Sequence, residues 1–438
     1  MVKISVCFMV LALGLVDAVF TKDLSTKGTQ REKISNPVEG VHVALWGEGF
    51  VRYTWLNPVP HGPDNTKFNP WCKYGTSSTN FNHTARGEAY TYTAGMFNMT
   101  LNSVVAELPI QPDGYTQVNY QCGDSNYGWS PVYSIQLQTP GVSQTQRGNI
   151  ALIADLGSTN GSDTITALEQ FAESGLIKMV VHAGDISYAD NFGKRNHNNS
   201  YIWVEYMKQI EKFTSWVPYM TAPGNHESQY DFAAYRNWLP MPYKSSDSES
   251  PFWFSFDYMG IHFLSFSTEH SFNQSSAQFA FMQQDLIQAN RNRDSVPWII
   301  VFGHRPLYCT SLVAEHRCVY DAPVFRSYLE DLLYQQRVDV YLCGHDHSYE
   351  RTYPVYRERV IRRDYHNPQA PIYIVDGEAG NPEPNDPSFQ PDVEWRANFY
   401  PGWDNGFLLV QPTPVALQFQ YIRSRDLTPM DIFSITKD

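Results

Sequence analysis

The chain has 438 residues, 42% of them hydrophobic and only 18% charged, which is enough apolar matter for a sizeable core and too much for a disordered chain. With 32 Lys and Arg against 45 Asp and Glu, the formal charge is −13, and this excludes a nucleic-acid backbone as the main partner. An anionic substrate then needs a local cationic site, and bound metal is one way to supply it.

The chain opens with Lys3, the apolar run Ile4 to Val16, and the small-residue site Val16-Asp17-Ala18. This predicts a secretory signal peptide over residues 1–18. The run is too short to cross a bilayer, and no other stretch is long enough. The tail Asp431 to Asp438 is not a lipid-anchor signal. The expectation is a secreted, extracellular or lysosomal protein with no membrane partner.

Cys7 leaves with the signal, so the mature chain keeps Cys72, Cys122, Cys309, Cys318 and Cys343. Sequence does not fix connectivity. In an oxidising compartment the expected pairs are Cys72 with Cys122 and Cys309 with Cys318, with Cys343 buried and free. The Asn-x-Ser/Thr sequons at Asn82, Asn98, Asn198 and Asn273 are candidate glycosylation sites, while Asn160 lies close to the chemistry below.

From Asn36 to Thr139 short stretches such as Val41–Trp46, Phe50–Trp55, Tyr90–Ala94, Tyr115–Tyr120 and Val132–Leu137 alternate with period two between Gly, Pro and Asn, which predicts an all-β sandwich. A linker follows at Pro140-Gly141-Val142. After Gly148 the texture changes. Apolar runs at Ile150–Ala154, Lys178–Ala183, Val217–Ala222, Val296–Phe302 and Val338–Cys343 alternate with helical-period segments such as Ser276–Asn290 and Pro323–Gln336. That is strand–helix alternation, and it predicts α/β layers.

Each of the five runs ends in polar, metal-capable residues. In order they are Asp155-Leu156-Gly157, Gly184-Asp185-Ile186-Ser187-Tyr188, Gly224-Asn225-His226-Glu227, Gly303-His304 and Gly344-His345-Asp346-His347. Ligands in α/β sheets gather at the carboxyl ends of strands. Two neighbouring metals need carboxylate, imidazole and amide donors, and an Asp is able to bridge them. Taken singly, Asp155 reads equally as a helix cap and Asn225-His226 as a turn. The five ends together, in one domain, do not.

This ordered set resembles the signature of the purple acid phosphatases, a branch of the calcineurin-like metallophosphoesterases. Tyr349-Glu350-Arg351 and the stretch Pro371–Val375 leading into Gly377-Glu378-Ala379-Gly380-Asn381 match as well, as do Tyr120, Gly123, Trp129-Ser130 and Tyr133 in the β-rich segment. The resemblance covers nearly the whole mature chain. It implies an N-terminal fibronectin-III-like sandwich over 36–140 and an α/β metallophosphoesterase domain of layered sheets flanked by helices over 148–435. Carried over by motif, Asp155, Asp185, Tyr188 and His347 would hold ferric iron. Asp185 would bridge to a second divalent metal, Zn, Fe or Mn, held with Asn225, His304 and His345. Tyr188 sets this branch apart, because a phenolate suits Fe(III) and colours it.

The implied activity is acid phosphatase chemistry on small phosphorylated substrates, with in-line attack of a metal-bound hydroxide on a phosphate monoester. His226, outside the ligand set, is expected to stabilise the transferring phosphoryl group. His316 is the one histidine in the loop after His304 and reads equally as a candidate proton donor or a solvated surface residue, its spacing departing from the plant pattern. Arg305 and Arg317 are candidate phosphate contacts but read as solvated charges by default, and His182 as a hydrogen-bonded core residue. The competing readings are a phosphodiesterase or nucleotide pyrophosphatase on the same site, and a non-catalytic secreted metal-binding glycoprotein.

Overall fold

In the N-terminal part, short alternating strands close two antiparallel sheets against each other. This computed structural model describes residues 38–56, 68–95, 97–109, 115–138, 148–192, 200–313, 317–402 and 404–438. The expected signal peptide, the linker, Asn198 and His316 lie outside them. The first sheet has the strand order Glu39–Leu45, Phe50–Leu56, Phe97–Glu107, Glu88–Ala94. The second runs His83–Arg86, Trp71–Gly75, Tyr115–Asp124, Gly128–Trp129, with Tyr133–Gln138 also paired to Tyr115–Asp124. Val41, Val43, Val51, Tyr53, Trp55 and Val104 of the first sheet share a core with Cys72, Val118, Tyr120 and Ile135 of the second. Cys72 stands directly opposite Cys122 in the ladder and is bonded to it.

The first sheet is buried on its other face too. Ala44, Leu56, Tyr92, Met99 and Leu101 belong to the large core that also holds Met207, Met220 and Trp238. A covered sheet buries both alternating sets of side chains, each worth about 1.5–3 kcal/mol when large and apolar. Polar pins register the contact. The Glu211 carboxylate accepts from Gly40 N (2.7 Å) and from Tyr133 Oη (2.6 Å). Tyr120 Oη donates to Ser215 O at 2.7 Å and Tyr90 Oη to Asn237 O at 2.6 Å.

From Asn149 onward two further sheets stack. One is six-stranded, in the order Tyr219–Ala222, Ile177–Ala183, Asn149–Ile153, Gly406–Pro412, Ala416–Arg423, Pro429–Thr436. The other is seven-stranded, in the order Phe254–Tyr258, Ile261–Ser265, Trp298–Phe302, Val340–Cys343, Ile372–Asp376, Ser348–Thr352, Arg396–Pro401. Alternation sorts the second sheet cleanly. Ile300, Phe302, Val340, Leu342, Ile372 and Ile374 face the inter-sheet core. Ile299, Val301, Tyr341, Cys343, Tyr373 and Val375 face an outer layer with Met282, Leu286, Phe325 and Leu329.

Those last four residues come from two helices, α4 (Ala277–Arg291) and α5 (Cys318–Gln335). Before them in the chain stand α1 (Ser162–Glu173), α2 (Ser200–Thr214) and α3 (Gln229–Trp238). Ser276 starts α4 because its Oγ accepts from Phe279 N at 3.1 Å, satisfying one open amide of the first turn. The five expected strand runs are all strands. The strands Asn149–Ile153, Ile177–Ala183 and Tyr219–Ala222 run parallel, as do Ile261–Ser265, Trp298–Phe302, Val340–Cys343 and Ile372–Asp376. Their carboxyl ends therefore open on one edge.

Candidate metal centre

At that edge five loops converge. Asp155 follows Asn149–Ile153, Asp185 and Tyr188 follow Ile177–Ala183, and Asn225 follows Tyr219–Ala222. From the other sheet, His304 follows Trp298–Phe302, while His345 and His347 follow Val340–Cys343. Six of the seven are buried, and Asn225 is partly exposed. Asp155, Asp185, Tyr188 and His345 have φ of 58°, 51°, 53° and 70°. Such left-handed backbone costs a residue with a Cβ about 1–3 kcal/mol, and its concentration here marks a site that the surrounding fold over-determines. Glycines let the loops close. A Cβ at Gly344 would overlap the Asp155 carboxylate, and one at Gly224 would overlap that of Asp185.

The hydrogen bonds suit cations. His304 Nδ1 lies 3.0 Å from Ala183 O, an acceptor only, so that nitrogen carries the hydrogen. Its Nε2 then points at Asp185 Oδ2 (2.9 Å) and Asn225 Oδ1 (3.2 Å). His347 repeats the arrangement. Its Nδ1 faces Pro384 O at 3.2 Å, while Nε2 faces Tyr188 Oη at 3.0 Å and Asp155 Oδ1 at 3.4 Å. Backbone carbonyls thus fix both tautomers so that lone pairs converge on oxygens, which is how supporting contacts orient metal-ligating imidazoles. Without a metal only extra protons relieve such convergence. Burial alone would lower the His304 pKa, yet the Asp185 and Asp155 carboxylates raise it to about 9. Ligand atoms of Asp185, His304 and His345 lie within 4.8 Å of one another. Carboxylate, phenol, amide and imidazole in this proportion fit an Fe(III) beside a divalent ion.

Four residues around this set had not been assigned roles there from the sequence. Asp190 holds His226, with Nδ1 2.8 Å from Oδ1, and Glu383 Oε1 lies 3.5 Å from Nε2. The His226 ring also packs on Tyr188 at 4.2 Å between centroids. Burial opposes its charge, but Asp185, Asp190 and Glu383 push its pKa up to about 12, which favours the imidazolium. Glu227 accepts from the backbone N–H of Asp185 (2.9 Å), Ile186 (2.9 Å) and Gly224 (2.8 Å), clamping two ligand loops together. Arg305 is not the solvated charge expected. Its side chain is only 19% exposed and grips Glu269 with Nε (2.7 Å) and Nη2 (3.2 Å). Asp190 stands two residues past Tyr188 and was findable. Glu383 and Glu269 lie far off in sequence with no local signal.

Beneath the centre lies a set of buried acids. Desolvation raises the pKa of Asp346, Asp376 and Glu378 well above the usual carboxylate range. It also raises Glu350 from 4.5 to about 7, partly offset by the bond from Thr310 N at 2.8 Å. Because the folded pKa is the higher one, this group's stabilising contribution is complete below pH 4.5 and lost as pH rises through about 7. The shift of 7 minus 4.5 corresponds to about 3 kcal/mol. Glu350→Gln stays neutral and still accepts from Thr310. Its melting temperature should therefore fall less than the parent's between pH 4.5 and 7, and parallel melting curves in both proteins would disprove the assignment.

The remaining sequence expectations fall as follows. Cys309 and Cys318 are bonded, and Cys343 is free and buried. His182 is a core residue with Nδ1 2.6 Å from Tyr219 Oη. Arg317 is largely solvated beside Asp321. Asn82, Asn98 and Asn273 are exposed, and Asn160 Nδ2 donates to Asn381 O at 3.0 Å. No helix among the described residues is long and apolar enough to cross a membrane.

Two family profiles match the chain. The calcineurin-like phosphoesterases match residues 148–349, and the C-terminal region of iron/zinc purple acid phosphatase-like proteins matches 370–431. Acid phosphatase type 7 of Danio rerio is 34% identical over 319 residues, 67% of this chain and 68% of the relative. The Homo sapiens protein of that name is 34% identical over 280 residues, or 60% of this chain and 61% of the relative. The match thus spans about three fifths of the human relative's length. A purple acid phosphatase from yellow lupin seeds superposes with a TM-score of 0.78 at 22% identity, covering 92% of this chain and 75% of that one, which speaks to the fold. With the zebrafish relative covered over two thirds of its length and the phosphoesterase profile spanning all five loops, followed by the purple acid phosphatase C-terminal profile, the chain belongs to the purple acid phosphatases.

Proposed function

We propose that this protein is a secreted binuclear-metal acid phosphatase acting on phosphate monoesters. The observation that carries it is the convergence of Asp155, Asp185, Tyr188, Asn225, His304, His345 and His347, with both supporting imidazole tautomers fixed to present lone pairs inward. Asp155, Asp185, Tyr188 and His347 would hold ferric iron, and Asp185, Asn225, His304 and His345 a divalent Zn, Fe or Mn. When bound, the two ions supply a water-derived nucleophile at acidic pH and offset the phosphate charge.

The chain's own residues do the rest. Loops clamped by Glu227 hold Asp185 and Asn225 in place, so the reacting groups need little reorganisation. His226, whose charged form Asp185, Asp190 and Glu383 favour, is placed to present a cation beside Asp185 where phosphoryl charge grows. The expected disulfides and sequons agree with passage along a secretory route.

The direct test is a visible absorption spectrum with metal analysis on the same purified sample. A tyrosinate-to-iron band with about two metals per chain is the expected result. Tyr188→Phe should lose the band while keeping some turnover. Two metals without colour would return Tyr188 to packing, and no tightly bound metal would favour the non-catalytic glycoprotein. Product analysis with mono- and diesters decides between phosphatase and phosphodiesterase. His226→Ala should lower kcat by about 10²–10³-fold, the cost of removing one transition-state donor, with metal content unchanged. Loss of metal in that variant would make His226 a support of the ligands instead.

A further inference from the structure

The centre contains a cation that the metal reading does not use. Arg305 follows His304 directly, and its side chain turns back into the site instead of out to solvent. Nε and Nη2 are held by both oxygens of Glu269 (2.7 and 3.2 Å). Nη1 lies 3.0 Å from His345 Nε2, and Nη2 3.3 Å from Asn225 Oδ1. Asp321 Oδ2 stands 3.6 Å from Nη1. The main chain beneath it is fixed as well, since Tyr341 Oη donates to Arg305 O at 2.6 Å and Arg305 N donates to Thr268 Oγ1 at 3.3 Å. A guanidinium has five N–H groups. Here two go to Glu269, one to His345, one to Asn225, and the fifth faces Asp321.

His345 Nε2 and Asn225 Oδ1 are also donor atoms for the second metal in the reading above. A lone pair serves a hydrogen or an ion, not both, and His345 Nε2 has one lone pair where Asn225 Oδ1 has two. Filling the second position therefore strips the Nη1 hydrogen of its acceptor on His345 and leaves Nη2 to share Asn225 Oδ1 with the ion, while Glu269 keeps the guanidinium tethered at the rim. A cation left there beside a metal ion needs an anion with more than one acceptor oxygen, and the planar arginine fork matches a phosphate group.

We infer that Arg305 is a phosphate-anchoring residue that the second metal ion arms by displacing it from His345. The inference rests on the binuclear reading and adds a substrate contact and a coupling to it. By linkage, phosphate and the second ion then favour each other, and without phosphate Arg305 competes with the ion.

The test uses full-length protein and its variants Arg305→Gln and Arg305→Lys. Inorganic phosphate is titrated calorimetrically into fully metal-loaded protein, and Zn(II) into protein holding iron alone, with and without phosphate. In R305Q the phosphate Kd should rise about tenfold or more, the scale of a lost charge-assisted pair. Its Zn(II) Kd without phosphate should fall several-fold, and phosphate should no longer tighten Zn(II) by the parent's margin. R305K keeps the charge but not the fork, so it should lie between parent and R305Q, and it carries the test if R305Q does not fold. A phosphate Kd equal to the parent's in loaded R305Q overturns the anchor. A Zn(II) Kd equal to the parent's without phosphate overturns the competition. Parent protein that takes up no second ion sinks the binuclear reading and this inference with it.

Discussion

Replacing Asp185 with Ala should empty the centre and lower turnover by at least about 10³-fold, beyond the 10–100-fold usually seen when a supporting residue is lost. The reason is how much meets on one side chain. Its Oδ2 lies 2.9 Å from His304 Nε2, and its Oδ1 accepts from His226 N at 2.9 Å. It is buried, and burial by itself would raise its pKa, yet His304 and His226 hold it far below the usual range, as an anion. Asp185→Asn separates charge from shape. Asn accepts the same His226 N–H and tolerates φ of 51°, so the fold should survive while metal and turnover go. Melting temperature, metal content and kcat on both variants are the measurements. Full activity in Asp185→Ala would show that it bridges nothing.

The second large effect belongs to Glu227, a residue assigned no ligand role. Removing its carboxylate leaves the N–H groups of Asp185, Ile186 and Gly224 without their acceptor in a buried site. A single orphaned buried donor costs about 1–3 kcal/mol. Glu227→Ala should therefore destabilise the protein by about 3–5 kcal/mol, the cost of several such groups with some relaxation. Turnover should drop with it, since the Asp185 and Asn225 loops lose their tie. Gln is instructive. Its single carbonyl oxygen replaces Oε2 and keeps the Asp185 and Gly224 bonds, but its amide nitrogen meets Ile186 N–H. The expected loss is thus about one bond's worth. Denaturant unfolding of parent, Gln and Ala proteins should rank them in that order, and equal midpoints would reduce Glu227 to a bystander.

Much of this centre was legible because its residues stand directly after apolar strand runs. Ile150–Ala154, Lys178–Ala183 and Val338–Cys343 announce a strand and then, with Gly, a sharp exit, so both position and donor type are local signals. Cys72 and Cys122 were expected as a pair, and the ladder sets them opposite each other. What failed was whatever depends on partners across the fold. Nothing near Arg305 says that Glu269 will return beside it from the end of another strand, so a solvated charge was the reasonable expectation. The split into a six-stranded and a seven-stranded sheet was equally hidden, since pairing between Asn149–Ile153 and Gly406–Pro412 spans most of the domain. The strands after Gly406 alternate with period two as clearly as the N-terminal ones, yet alternation does not name a neighbour.

The first sheet of the N-terminal sandwich serves two cores at once, Val43, Tyr53 and Trp55 on one side and Ala44, Leu56 and Leu101 on the other. A wall common to two rooms cannot be inherited by only one of them. Recombination at the seam before residue 148 would leave one product with Met207, Met220 and Trp238 uncovered and the other with a bare apolar sheet. Gene fusions and exchanges in this lineage should therefore break outside the pair and carry both halves together, however independent their folds look in sequence.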